Sequence, residues 1–319
     1  MRKPNFFIVG APRCGTTSLW TYLKGHPDVF MSAEKELYFF DSDLWEWKKP
    51  APSPGEYLSH FSEAAGQKIV GEASPSYLRS QRAAKGIKAF SPGAQIIIML
   101  RNPLDVMHSL HSLLSAALDG PEPITDFETA LEADAGRTGR ERIGYREFTD
   151  FPEQVQRYLD LFGRENVHTI IFDDLREKSA AVCQSVLRFL EIRSDFAAEF
   201  PWINSNKRVR NMRLQTILRR PPKGLRAISR VLVPQWLRPR VQQVLLNSNL
   251  VVRSKSPMDP KLRRQLQREF EPKVEQLSKL LGRDLSGWCE PRGEERGLAT
   301  VEHRRNDREA EIGWGQMRR

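Results

Sequence analysis

Near the start of the chain the apolar positions form an unbroken run, Phe6-Phe7-Ile8-Val9, ended by Gly10. A short run of this kind predicts a strand buried on both faces, as in a parallel sheet. The period then changes. Across Thr16–Lys24, Leu19, Tyr22 and Leu23 fall on one side of a helix, which Gly25 and Pro27 close. Residues 45–56 are rich in Pro and Trp and predict a surface loop. Ile69-Val70 begins a second short strand ahead of Ser74-Pro75, and 96–100 reads as the clearest buried strand. Pro103 stands where the first residue of a helix over 104–118 would be. After a break at 120–124, helices are expected over 126–132 and Phe151–Phe162. In the latter, Val155, Tyr158, Leu159 and Phe162 recur at helical spacing. A strand over 167–172 and a helix over 179–190 follow, and a long helix covers 261–281. Strands separated by helices predict an α/β fold with a central parallel sheet and helices on both faces.

Composition narrows the class. The chain has 319 residues, 39% hydrophobic and 28% charged, which fits one large folded domain with appendages rather than a disordered chain. It has no apolar run of about 18 residues, so no membrane-spanning helix is expected. The opening Met1-Arg2-Lys3-Pro4-Asn5 leads straight into an apolar stretch shorter than the roughly 7–15 residues of a secretory signal. Cys14, Cys183 and Cys289 are few and far apart, as in a reducing cytoplasm, and neither they nor the histidines show metal-ligand spacing. The formal net charge of +10 is uneven: residues 207–255 hold 13 Lys or Arg and no Asp or Glu, leaving 37 basic against 40 acidic residues elsewhere. That segment suits an anionic partner. From Glu290 onward the chain is polar, with seven basic and seven acidic residues, and is expected to be flexible.

Three motifs carry chemistry. Gly10-Ala11-Pro12-Arg13-Cys14-Gly15-Thr16-Thr17 follows a strand and opens a helix. Backbone N–H groups in such a turn form an anion site. The glycine spacing is that of a Walker loop, but Thr16 occupies the lysine position and the loop's own cation is Arg13. Cys14 is a small filler whose cationic neighbours would lower its pKa and make it reactive. The second motif is Lys35-Glu36-Leu37-Tyr38-Phe39-Phe40, a carboxylate between a cation and aromatics. The third is Leu100-Arg101-Asn102-Pro103, with Ser109 eight residues after Arg101. An Arg at the C-terminal end of a buried strand, with a hydroxyl two turns along the next helix, suits a phosphate.

In this order the motifs resemble those of the sulfotransferases that use 3′-phosphoadenosine 5′-phosphosulfate (PAPS), in the branch of bacterial and heparan-sulfate-type enzymes. Gly71-Glu72-x-Ser74-Pro75-x-Tyr77 and the stretch from Asp259-Pro260 to Gly282-Arg283 add to the likeness. The resemblance implies a P-loop-like fold over 1–289, with a basic helical segment at 204–256 on the acceptor side and a tail at 290–319. It implies that Arg13, Cys14, Gly15, Thr16, Thr17 and Ser18 bind the 5′-phosphosulfate and that Arg101 and Ser109 bind the 3′-phosphate. Glu36 would be the general base and Arg13 the group that stabilises charge on the leaving phosphate. Lys207, Arg208 and Arg210 are the candidates for a late segment closing over the donor. No metal is implied. The acceptor would be a hydroxyl of a carbohydrate, lipid or secondary metabolite. The chain departs from the heparan-type pattern at Ala73, where those enzymes carry Lys, and at Tyr38, where they often carry His.

Two rivals remain at this stage. A P-loop NTPase or kinase would place Mg²⁺ on Thr17 and on Asp173, after the 167–172 strand. A non-catalytic module would bind an anion and transfer nothing. Asp173-Asp174 reads more simply as a loop and helix cap. The basic 207–255 segment reads as helices with a solvated face, as an acceptor lid, or as a contact with an anionic inner membrane face. It carries no nucleic-acid motif.

Overall fold

The computed structural model describes residues 2–45, 52–116, 120–196, 207–209, 250–252 and 257–290. They belong to two compact units, divided between Pro257 and Met258.

The first unit is built on five parallel strands in the order β2-β3-β1-β4-β5. They are β1 (Phe6–Gly10), β2 (Val29–Met31), β3 (Ile69–Ala73), β4 (Gln95–Leu100) and β5 (Val167–Ile171). Around the sheet lie α1 (Thr16–Lys24), α2 (Ser42–Trp45), α3 (Pro54–Ser59), α4 (Ala83–Phe90), α5 (Pro103–Ala116), α6 (Phe127–Gly136), α7 (Phe151–Phe162), α8 (Phe172–Glu177) and α9 (Ser179–Phe189). The apolar runs become strands because the sheet centre gives every residue a dry face. All five residues of β1 are buried, and Ile96 to Leu100 are fully so. Burying each such side chain is worth about 1.5–3 kcal/mol, which is why these two runs sit side by side in register from Phe6 opposite Gln95.

The local signals mostly hold. The helix over Phe151–Phe162 forms as expected, and α5, α6 and α9 start or stop within a few residues of the expected positions. Asn102 starts α5: its side-chain oxygen accepts from Leu104 N at 3.0 Å. Three expectations change. Of the loop expected at 45–56, Trp45 ends α2 and residues 54–56 open α3, whose cap pairs Ser53 with the Glu56 backbone N–H and Glu56 with that of Ser53, while 46–51 lie outside the described residues. β2 is an additional strand of three residues. Asp173 and Asp174 lie in the first turn of α8, not in a loop, and strand β5 ends at Ile171.

Of the basic segment 204–256, only β6 (Lys207–Val209) and β7 (Leu250–Val252) are described, paired antiparallel with Lys207 opposite Val252. Those positions are strand rather than helix. Arg210, the rest of the segment and the tail beyond 290 lie outside the described residues. In the second unit, α10 (Pro260–Leu281) is capped by Asp259, which accepts from Lys261 N and Leu262 N. Leu262, Leu266, Phe270, Val274 and Leu277 form its buried stripe. Among the described residues, no helix is long and apolar enough to cross a membrane.

Candidate active site

The C-terminal ends of parallel strands leave a crevice where ligands bind, and all three sequence motifs meet there. The first is the turn between β1 and α1. Gly10 packs so tightly that a Cβ on it would lie 2.4 Å from Leu78 Cβ. Gly15 caps α1 in the left-handed region, at φ 89°. Behind it the first-turn N–H groups of α1 have no carbonyl within the helix to bond, which makes a cradle for an anion. Thr16 and Ser18 are buried, whereas Thr17 faces solvent.

Arg13 lies in this turn, within reach of the charge of Arg101. Arg13 Nε donates to Ser109 Oγ at 2.9 Å, so residues 96 positions apart meet. Arg101, just past β4, faces Asp105 at 3.5 Å and lies 4.6 Å from the centre of the Phe172 ring. Burial, and then the nearby Arg101 charge, lower the pKa of Arg13. Holding two guanidinium groups this close is unfavourable in a buried setting, and an anion between them relieves it.

The second motif reaches the same place from the segment after β2. Lys35 Nζ donates to Thr17 Oγ1 at 2.8 Å and approaches Thr16 Oγ1 at 3.4 Å. Burial lowers its pKa to about 8, against the pull of Glu36. Glu36 itself is exposed, and its Oε2 accepts from the Tyr38 hydroxyl at 2.5 Å. Burial and this bond to Glu36 raise the Tyr38 pKa, so the phenol stays a donor. Arg13, Glu36 and Tyr38 all have positive φ, at 66°, 62° and 53°. Such residues are strained and persist where their surroundings force them, commonly at working sites.

A buried carboxylate holds that segment in place. Glu72, at the end of β3, is fully buried and accepts from Tyr57 OH at 2.8 Å and Ser74 Oγ at 3.0 Å. Ser74 Oγ in turn accepts from Leu37 N at 3.2 Å, and Tyr77 OH from Phe39 N at 3.2 Å. Glu36 N donates to Ala73 O at 3.0 Å. The backbone after Lys35 is thus pinned at residues 36, 37 and 39 to Ala73, Ser74 and Tyr77, at and just beyond the end of β3. Burial raises the Glu72 pKa to about 7 despite its three hydroxyl donors.

A sulfotransferase domain model matches residues 3–279. The chain belongs to the sulfotransferase family. Among solved structures it is similar to a sulfotransferase from Alicyclobacillus acidocaldarius, at 27% identity and a TM-score of 0.67. That match covers 91% of this chain and 100% of the other. Among curated relatives, the membrane-associated sulfotransferase kil1 of Dictyostelium discoideum is 32% identical over 108 residues, covering 32% of this chain and 21% of that protein. Human carbohydrate sulfotransferase 15 is 29% identical over 147 residues, covering 33% of this chain and 26% of that protein. The chain therefore matches only a minor part of the length of these two relatives.

In this sulfotransferase the structure joins Arg13, Gly15, Thr16, Thr17, Ser18, Arg101 and Ser109 at one sheet edge, with Glu36 on the adjoining segment. It corrects the expectation for Cys14. Burial outweighs Arg101 and Arg13 and pushes the thiol up to about 12, so it is a buried filler and not an activated nucleophile. Asp173, the rival metal ligand, faces Arg176 at 3.6 Å. Among the described residues, no group of three His, Cys, Asp or Glu could hold a metal. Lys207 and Arg208 are described only as backbone of β6. Sequence reasoning passed over the reach of Lys35 and the clamp centred on Glu72. The signal for the first was a loop with Thr16 in place of a lysine.

Proposed function

We propose that this sulfotransferase moves a sulfuryl group from PAPS to an acceptor hydroxyl, giving a sulfate ester, adenosine 3′,5′-bisphosphate and the proton of the hydroxyl. The observation that carries the reading is the meeting of Arg13, Arg101 and Lys35 around a glycine-capped helix N-terminus. That donor set fits a ligand with two separated phosphate-type groups. The donor supplies an activated sulfuryl group, and the protein supplies position and charge.

In this reading the N–H groups of the loop and the hydroxyls of Thr16, Thr17 and Ser18 hold the 5′-phosphosulfate, with Cys14 and Gly15 shaping the turn. Arg101 and Ser109 hold the 3′-phosphate. Arg13 offsets the charge that builds on the leaving phosphate oxygen. Glu36 is exposed to an incoming acceptor and takes the proton of its hydroxyl, with Tyr38 orienting the carboxylate. Lys207, Arg208 and Arg210 close over the donor. The acceptor is a carbohydrate, lipid or secondary-metabolite hydroxyl; the name of the carbohydrate relative supports the first of these. The reaction needs no metal. The sparse thiols support a cytoplasmic setting, and the 207–255 charge supports contact with an anionic membrane face.

Calorimetric titration with adenosine 3′,5′-bisphosphate, ADP and ATP with Mg²⁺ tests the reading. Tight metal-free binding of the bisphosphate over ADP and ATP is expected. A preference for ATP with Mg²⁺ overturns it in favour of an NTPase.

A further inference from the structure

The turn between β1 and α1 carries no lysine of its own, yet an ammonium group sits on it. It arrives from a different strand. Lys35 follows β2, at the edge of the sheet, and its Nζ lies against the Thr17 and Thr16 hydroxyls. An ammonium has three donors and no acceptor. Two point at the threonines, and the third is available to a ligand in the cradle. By accepting from Lys35, the threonine oxygens also leave their own O–H groups to donate towards that ligand.

Lys35 is not a surface lysine that happens to touch a loop. The residues after it are fixed: Glu36 N bonds to Ala73 O, Leu37 N to Ser74 Oγ, and Glu36 holds a left-handed backbone. The side chain is half-buried. Meanwhile the loop's own cation, Arg13, turns its Nε to Ser109, on α5. Ala73, at the end of β3, brings no side-chain charge. Lys35 thus brings a cation from outside the loop onto the hydroxyls at the start of α1.

We infer that Lys35 is a donor-site cation that binds the 5′-phosphosulfate end of the donor together with Thr16 and Thr17. The inference rests on the PAPS reading above and adds a residue from outside the loop to the charge at the transferred group. A cation here lowers the energy of the negative charge that develops as the phosphate leaves, and it fixes the threonines for the same task.

The test separates the two ends of the nucleotide. The full chain, Lys35→Met and Lys35→Arg are titrated with adenosine 3′,5′-bisphosphate and with adenosine 3′-monophosphate, which lacks the 5′ group. Loss of one charged hydrogen bond predicts about tenfold to a hundredfold weaker bisphosphate binding by Lys35→Met. The 3′-monophosphate should bind the variant as it binds the parent, and Lys35→Arg should regain bisphosphate affinity. Equal weakening for both probes would show that Lys35 only shapes the loop and would overturn the inference, as would unchanged bisphosphate affinity. If the parent itself gains nothing from the 5′-phosphate, the donor reading falls and the inference with it.

Discussion

Replacing Glu72 by Gln should change how stability depends on pH. The carboxyl is fully buried, and burial raises its pKa from 4.5 to about 7. The sign follows from proton linkage. Between those values the folded state holds a proton that the unfolded state has released, so stability falls as pH rises from about 4.5 to about 7. Below that window both states are protonated and the penalty vanishes; above it the penalty is complete. Each pH unit is worth roughly 1.4 kcal/mol, so the full effect is about 3 kcal/mol. Gln keeps the shape and can still bond the surrounding hydroxyls, its oxygen accepting and its amide donating. It cannot ionise. Urea unfolding of parent and Glu72→Gln at several pH values, followed by tryptophan fluorescence, gives the difference directly. The variant should gain stability relative to the parent by about 3 kcal/mol between pH 4.5 and 8. Parallel pH profiles would refute the reasoning, because they would mean that the carboxyl ionises in the folded state as readily as in the unfolded one. The position matters for function because Ser74 and Tyr77 link this carboxyl to the backbone beneath Glu36.

Glu36→Gln should abolish transfer and leave adenosine 3′,5′-bisphosphate binding close to that of the parent; persistent turnover would mean that another group takes the proton. Arg101→Ala should weaken the bisphosphate by about tenfold to a hundredfold, the worth of one charged hydrogen bond. Unchanged affinity by calorimetry would remove Arg101 from the 3′-phosphate site. Cys14 should label slowly with a thiol reagent at pH 8 and Cys289 faster, since the first is fully buried and the second is part-exposed. Mass spectrometry of timed digests distinguishes them, and fast labelling of Cys14 would contradict the buried thiol.

Much of this protein is local and could be read from the chain. Buried strands announce themselves as apolar runs, and the turn at Gly10 to Gly15 announces itself by residues that tolerate tight or left-handed backbone. Helices with a clear stripe, such as Val155, Tyr158 and Phe162, need only their neighbours three and four places away. The elements that went unread lack such signals. β2 is Val-Phe-Met, too short to show a period. In α4 a glycine interrupts the helical pattern, and Gly86 is there for packing: a Cβ on it would lie 3.0 Å from the Phe40 ring.

The site divides along the same line. Residue types and their spacing within each motif pointed to Arg13, Arg101 and Ser109, and the family resemblance added Glu36. Which of them touch was decided by the strand order β2-β3-β1-β4-β5, which sets motifs distant in sequence side by side at one edge. That order placed Lys35 over Thr17, turned Arg13 to Ser109, and put the Glu72 network beneath Glu36. The burial of Cys14 belongs here too: burial and neighbouring charge push its thiol in opposite directions, and only the packed structure sets how much of each it meets. Propensity and period act over a few residues, whereas desolvation and contact between charges depend on what the fold packs around them.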